Sequence, residues 1–346
     1  MPEPSNVGGM KAIAKMYYDL NIFNQSEYIH FDSTFAATNK ISRLIQSILH
    51  RFRFISLLLK IKPAGVFIYT SSYWGFYDKA FYALICRLFG IQSALNLVGG
   101  EFFKFYRSNL FHRVIVKMTI RFPNKIIIGS TSWMDRFQKE FSGVSYEVIH
   151  NPVVWQSGFD ITKKRSDAVK FLFFSRLALE KGIEEIVQSL KILQTTNDLK
   201  FHFTFAGKGP AGDYIKSALA DMIKTGAVSV YENVSEVDKN LLLQSSDVFV
   251  LPSHAEVLPI SLLEAMGHQM PAIITDVGGM KDAVRNHVNG FVIQDLGHTI
   301  QELVQHMQYF INHPKQIDKM GNIAYQVIKE QFEFNVIFQK KINLFK

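Results

Sequence analysis

Ser246-Asp-Val-Phe-Val-Leu-Pro-Ser-His-Ala-Glu256-Val-Leu-Pro-Ile-Ser-Leu-Leu-Glu264-Ala-Met-Gly267, followed by Pro271-Ala-Ile-Ile-Thr-Asp-Val-Gly278-Gly279, is the stretch on which the fold turns. Val248 to Leu251 is a short apolar run ending at Pro252, the pattern of a buried parallel strand whose carboxyl end opens into a loop. Pro259 suits the first position of a helix, where a missing N–H leaves no bond unmade. Along that helix Leu262, Ala265 and Met266 recur at core spacing, while Ser261, Glu264 and His268 fall on another face. Glu256 is therefore expected in the loop and Glu264 in the second helical turn. Both can look toward the crevice where open α/β sheets bind ligands.

Glu256, seven residues, Glu264-Ala-Met-Gly267 and a following strand that ends in Gly278-Gly279 resemble the signature of family 4 retaining glycosyltransferases of the GT-B fold. Spaced glutamates alone are common on solvated helices; the strand, loop, helix, strand and Gly-Gly context carries the resemblance. It implies an α/β GT-B protein, with two Rossmann-like, doubly wound parallel-sheet domains facing a central cleft.

Length and composition agree with two domains. A chain of 346 residues, 48% hydrophobic, is too long for one ordinary core. The single cysteine, Cys86, cannot form an internal disulfide, which favours a reducing cytoplasm. No apolar run approaches the roughly 18 residues of a membrane span, and residues 1 to 30 lack a basic start followed by an apolar core. The net charge of +8 is uneven: residues 1 to 160 hold 18 Lys and Arg against 10 Asp and Glu, and the remainder 20 against 20. A positive field of this kind attracts an anionic surface or ligand. There is no nucleic-acid fold signature beside it.

Strand and helix signals alternate through the first half: a helix at Lys11 to Leu20, a strand at Tyr28 to Phe31, a long basic helix from Asn39, then strands at Gly65, Ser93, Lys125 and Tyr146. This is the pattern of a parallel sheet covered on both faces. The sequence divides into 1–156 as an acceptor-side domain, 168–330 as a nucleotide-sugar domain, and 331–346 as a helix expected, from the resemblance, to cross back to the first. Ser157 to Lys170 is the expected linker. Met1 to Met10 looks like a glycine loop that normally follows the first strand of a nucleotide-binding half, yet no strand precedes it. That strand is central in a doubly wound sheet, so its absence would leave a slot between neighbours. The expectation is a natural start upstream of Met1.

Glycosyl transfer from a sugar nucleotide breaks an anomeric C–O bond, and charge builds on the departing diphosphate. With no Asp-x-Asp in the chain, cations rather than a metal are expected there. Arg176 and Lys181, in Phe174-Ser-Arg-Leu-Ala-Leu-Glu-Lys-Gly182, follow a strand and open a helix, which adds a helix N-terminus to two side-chain cations. Both match the family's Arg and Lys; the bland alternative is a pair of solvated surface cations. The resemblance makes Glu264 the acceptor for ribose hydroxyls and Glu256 the acceptor for hydroxyls of the donor sugar, with no cofactor beyond a nucleotide-sugar donor, UDP-linked.

Leu258, Pro259, Ile260 and Ser261 mark a segment whose backbone N–H groups, on every residue but the proline, can touch the diphosphate; Gly207 lets the chain turn at another strand end. Base contacts are expected around Asn233, which stands where the family usually has a glycine. In the first domain, Gly8-Gly9 and Gly99-Gly100 would let the chain approach phosphate. Relatives often carry a histidine beside the second pair; here those places hold Val98, Glu101 and Phe103, and His112 and Glu101 are the remaining candidates for an acceptor-side group. Lys40 to Lys62 and Lys104 to Arg121 mix cations with large apolar residues, as a surface lying on an anionic leaflet does. The expected function is a retaining hexosyltransferase or N-acetylhexosaminyltransferase acting on a lipid-linked saccharide at the inner face of a bacterial membrane. A sugar-nucleotide epimerase and a silent nucleotide-sugar scaffold are the competing classes.

Overall fold

The computed structural model describes residues 9–24, 27–33, 39–100, 102–154, 167–195 and 200–346. The chain divides into two compact units, Met1–Pro152 with Ile337–Lys346, and Val153–Val336.

In the first unit, helices α1 (Gly9–Asp19) and α2 (Lys40–Ile61) precede strand β1 (Gly65–Thr70). Then come α3 (Trp74–Leu88), β2 (Gln92–Leu97), α4 (Phe102–Arg107), α5 (Leu110–Thr119), β3 (Lys125–Ile128), α6 (Met134–Glu140) and β4 (Tyr146–Val148). The four strands lie side by side in sequence order, and every pairing is parallel. Helix starts follow local chemistry: Asn39 Oδ1 accepts from Ser42 N at 2.8 Å to begin α2, and Asn109 Oδ1 accepts from His112 N at 2.8 Å to begin α5. That second cap explains why Lys104 to Arg121 folds as two helices rather than one. Cys86 is fully buried in α3, and burial pushes its thiol up to about 12, so it stays protonated and unreactive.

The strand expected at Tyr28–Phe31 is a correction. Residues 28–33 are irregular and join no ladder. They and Gly65–Tyr69 both line one cavity of about 530 Å³, and the ladder of β1 among the described residues is to β2.

The second unit opens with β5 (Val169–Phe174), α7 (Ile183–Gln194) and β6 (Phe201–Ala206). Two short helices, α8 (Gly212–Ala218) and α9 (Ala220–Lys224), meet at Leu219 before β7 (Val228–Tyr231). There follow α10 (Glu236–Ser245), β8 (Val248–Leu251), α11 (Ile260–Gly267), β9 (Ala272–Thr275), α12 (Met280–Ala283), β10 (Gly290–Ile293), α13 (Thr299–Asn312), α14 (Pro314–Gln331) and α15 (Phe334–Ile342), whose last turns belong to the first unit. The six strands pair in parallel in the order β10-β9-β8-β5-β6-β7. Strands β8 and β9 are buried at every position, as central strands covered on both faces must be, and the edge strand β10 is buried as well. Pro259 caps α11 from outside rather than opening it, with the extended backbone that precedes a helix. Leu262, Ala265 and Met266 are fully buried on the core side of that helix.

Candidate active site

The order of the second sheet places its reversal beside β5: the chain moves one way through β6 and β7, and the other way through β8, β9 and β10. Ligands of open α/β sheets bind outside the carboxyl ends of strands at such a reversal. The loops leaving β5, β8 and β9 are laced together there. His254 N donates to Glu180 O at 3.0 Å, Ser253 Oγ donates to Glu180 O at 3.3 Å, and Thr275 Oγ1 donates to Ser253 O at 2.5 Å. The loop leaving β6 joins them, since Leu177 N donates to Lys208 O at 3.2 Å and Ala211 N to Leu177 O at 2.9 Å.

Within this frame Lys181 Nζ lies 2.6 Å from Glu256 Oε1, and the two side chains are only 17% and 13% exposed. Burial raises the Glu256 carboxyl above the usual range, although Lys181 pulls it back. Glu264, on α11, is as sheltered; its Oε1 lies 2.8 Å from Lys239 Nζ on α10. Burial raises its carboxyl too, opposed by Lys239. Burial alone would lower Lys239, but Glu264 and Glu236 outweigh it and hold the ammonium up. Two sheltered acid–base pairs thus stand on adjoining elements of one sheet end.

The structure joins Lys181 to Glu256, and among the described residues no hydrogen bond or ion pair links Arg176 or Glu264 to that pair. Arg176 is exposed and paired with Glu180, one helical turn along. Leu258 is buried, Ile260 and Ser261 are half-buried, and Ser261 begins the outer face of α11. Asn233 is exposed in the turn between β7 and α10. Gly207 sits at the end of β6 with φ +140°, where a Cβ would lie 1.9 Å from Ser175 O. That glycine is required by close backbone approach.

Gly99 and Gly100 follow β2 in the first unit. A Cβ on Gly99 would sit 3.2 Å from Ser72 Oγ, a buried hydroxyl with no hydrogen-bond partner among the described residues. Gly9 is the first residue of α1; Gly8 and Glu101 lie outside the described residues. His112 is packed by its neighbours: its ring stacks on Tyr77 and accepts or donates through Nδ1 to that hydroxyl. Sequence reasoning missed Lys239, Glu185 and Ser72. Lys239 carries no signal of its own, being one lysine in a helix capped by Ser235 and Asp238. Glu185 holds His254 Nε2 at 2.7 Å across 69 residues of chain.

Residues 157–327 match the family model described as Glycosyl transferases group 1. The chain belongs to this family. Over 160 residues, 45% of this chain and 40% of the relative, the group 1 protein described here is 27% identical to an uncharacterized glycosyltransferase of Methanocaldococcus jannaschii. Over 212 residues, 60% of this chain and 51% of the relative, it is 26% identical to the N,N'-diacetylbacillosaminyl-diphospho-undecaprenol alpha-1,3-N-acetylgalactosaminyltransferase of Campylobacter jejuni. The group 1 chain spans about half the length, or less, of the curated relatives it matches first. Among solved structures it resembles Anabaena HepE in complex with UDP-glucose, with a TM-score of 0.71 at 18% identity over 99% of this chain and 97% of that one. The likeness and the two parallel sheets show the GT-B fold that the sequence implies.

Proposed function

We propose that this group 1 chain is a retaining glycosyltransferase that takes a hexose or N-acetylhexosamine from a UDP-sugar and places it on a lipid-linked saccharide in bacterial surface polysaccharide synthesis. The observation that carries the reading is the sheltered Lys181–Glu256 pair at the sheet reversal. Without donor the two charges neutralise each other. A diphosphate entering the crevice offers Lys181 a stronger, doubly charged partner, and Glu256 is released to accept hydroxyls of the sugar. The anomeric C–O bond to phosphate then breaks while the acceptor oxygen bonds to the same face. The leaving diphosphate takes the electron pair and then the acceptor's proton, with Lys181 and Arg176 in place of a metal ion beside it. Glu264 accepts from the ribose and Lys239 keeps it ionised. Incubation with a panel of nucleotide sugars tests this: slow donor hydrolysis supports transfer, an isomerised sugar means an epimerase, and binding without turnover means a scaffold.

The raised carboxyls give the donor step a pH dependence. A carboxyl whose folded pKa lies above the ordinary glutamate value of roughly 4.3 takes up its proton earlier as pH falls, and a protonated Glu256 or Glu264 is a poorer acceptor. UDP-sugar affinity is expected to be full at neutral pH and to fall on acidification before exposed carboxylates titrate. Calorimetric titration from neutral pH downward checks this; affinity that holds into the ordinary carboxylate range removes both residues as acceptors.

The acceptor reading draws on the surface of the first unit. Trp74 is 84% exposed, Leu110 74% and Phe111 64%, with Val114 and Met118 also exposed along α5. Stacking of Tyr77, on α3, against His112, on α5, ties these helices together. Arg113 and Lys117 are exposed on the same helix. An apolar ridge beside cations suits an anionic leaflet, which solvates the first and attracts the second. Phe111→Asp with Leu110→Ser is expected to cut binding to phosphatidylglycerol vesicles by about tenfold or more, since each buried apolar side chain supplies about 1.5–3 kcal/mol, and to leave UDP-sugar affinity unchanged. Sedimentation with vesicles reads the first and calorimetry the second.

A further inference from the structure

The loop that leaves β8, from Pro252 to Leu258, presents Glu256 and is fastened to the start of α7 on both sides of Lys181. Backbone holds it first: His254 N donates to Glu180 O at 3.0 Å, and Ser253 Oγ reaches the same carbonyl at 3.3 Å. The approach is close enough that a Cβ on Gly182 would stand 2.1 Å from Pro252 O. Two side-chain ties are added to that seam. Lys181 Nζ meets Glu256 Oε1 at 2.6 Å, and His254 Nε2 donates to Glu185 Oε1 at 2.7 Å. A carboxylate oxygen only accepts, so it is Nε2 that carries the proton joining them. Glu185 is a fixed post for such a tie. It lies in the first turn of α7, where Ile183, Ile186, Val187 and Leu190 are fully buried, and Ser189 Oγ donates to Glu185 O at 2.7 Å and to Ile300 O at 3.2 Å. Its Oε2 is buried with no hydrogen-bond partner among the described residues, which leaves Oε1 as the oxygen that serves the loop.

The two side-chain ties differ in what a donor does to them. On the reading that Lys181 turns to a diphosphate and Glu256 to a sugar, on which this inference rests, the first tie is surrendered whenever donor binds. The second involves neither group. We propose that Glu185 and His254 are a positioning pair, which keeps Glu256 in place while its own partner is exchanged for substrate. His254 is 51% exposed, so the pair adds little to the stability of the free fold, where Lys181 holds the loop as well. Its weight falls on the complex. Once Lys181 has left, a loop without the pair hangs from α7 by the two hydrogen bonds to Glu180 O, and Glu256 drifts at the step in which it must hold the sugar. A drift of about 1 Å in a positioning group is enough to cost rate.

The test reads amide hydrogen exchange by mass spectrometry across Ser253–Leu258, with and without saturating UDP, in the 346-residue protein and its His254→Ala, His254→Gln and Glu185→Ala variants. UDP brings the diphosphate that draws Lys181 away. Without UDP, His254→Ala is expected to exchange within about twofold of wild type. With UDP it is expected to exchange about tenfold faster than wild type, the order that one hydrogen bond to a charged group supplies, and Glu185→Ala to behave alike. His254→Gln, whose side-chain amide offers an N–H close to the place of Nε2, should restore wild-type exchange. Three results overturn the proposal: His254→Ala that matches wild type with UDP bound; His254→Ala already about tenfold faster without UDP, which makes the tie a structural one; or His254→Gln that exchanges like His254→Ala, which removes the bond to Glu185 as the cause. Calorimetry of UDP on wild type guards the premise. No binding there refutes the donor reading and this inference with it, whereas binding with unchanged loop exchange in the variants refutes the inference alone.

Discussion

Lys181→Met is expected to lower kcat/KM for sugar transfer by about 10² to 10³, the usual loss when one preorganised charge-stabilising group is removed from a leaving site. A loss of that size alone does not separate catalysis from folding, because Lys181 also neutralises Glu256 at 2.6 Å in a sheltered place. Removing one partner of a fully buried pair costs about 3–5 kcal/mol through the charge left behind. Here both side chains keep some exposure, and a smaller cost, about 2 kcal/mol, is expected at neutral pH.

That cost has a defined sign with pH. Glu256 already has its carboxyl raised by burial, with Lys181 pulling it down; without the lysine it rises further. A carboxyl with folded pKa above its unfolded value contributes its stability below the unfolded pKa and loses it as pH climbs through the folded one. The deficit of Lys181→Met against wild type should therefore grow from acid toward neutral pH, as urea denaturation at several pH values would show.

The double variant Lys181→Met, Glu256→Gln separates the two roles. It removes both charges at nearly constant volume, and stability is expected to return to within about 1 kcal/mol of wild type, because neutral replacements of an ion pair are commonly tolerated. Activity is expected to stay down, since neither the diphosphate nor the sugar regains its partner. If transfer recovers together with stability, the pair is a structural clamp and the donor lies elsewhere.

The period and placement of apolar residues made the second sheet legible. Val248–Leu251 forms a strand over the residues expected, and α11 buries the side that its spacing assigned. Local polarity of this kind is written within one element, so one element discloses it. Pairings between distant residues are not. Lys239 meets Glu264 across 25 positions, and Glu185 meets His254 across 69; nothing about either residue's own neighbourhood marks it. The expectation that Arg176, Lys181, Glu256 and Glu264 converge was an inference from motif, and the geometry divides them into Lys181 with Glu256, Glu264 with Lys239, and Arg176 with Glu180. Tyr28–Phe31 failed for the complementary reason. An apolar, extended stretch becomes a strand only when it pairs with an edge, and residues 28–33 join no ladder among the described residues.

Gly278→Ala is expected to abolish most transfer activity, and the reason lies in what the added methyl would meet. Gly278 has φ +59°, a region in which an L side chain costs roughly 1–2 kcal/mol. Its Cβ would also stand 1.9 Å from Glu256 O and 3.0 Å from Val257 O. The next residue, Gly279, donates its N–H to Val257 O, so the loop leaving β9 is clasped against the backbone that presents Glu256. The clash is with main chain, which cannot rotate away as a side chain can, and the segment holding Glu256 must move. A shift of about 1 Å in a positioning group can cost on the order of 10² in rate. Gly226→Ala supplies the control within the same unit: φ is +78° with nothing within 4 Å of the added methyl. It should lose the same roughly 1–2 kcal/mol of backbone strain and keep its activity and UDP-sugar affinity. Measured side by side at a temperature where both variants are folded, a Tm loss larger in Gly278→Ala by the cost of the clash, with activity lost only there, ties the defect to the position of Glu256. Wild-type kcat/KM in Gly278→Ala would mean that the loop leaving β9 does not govern where that carboxylate stands.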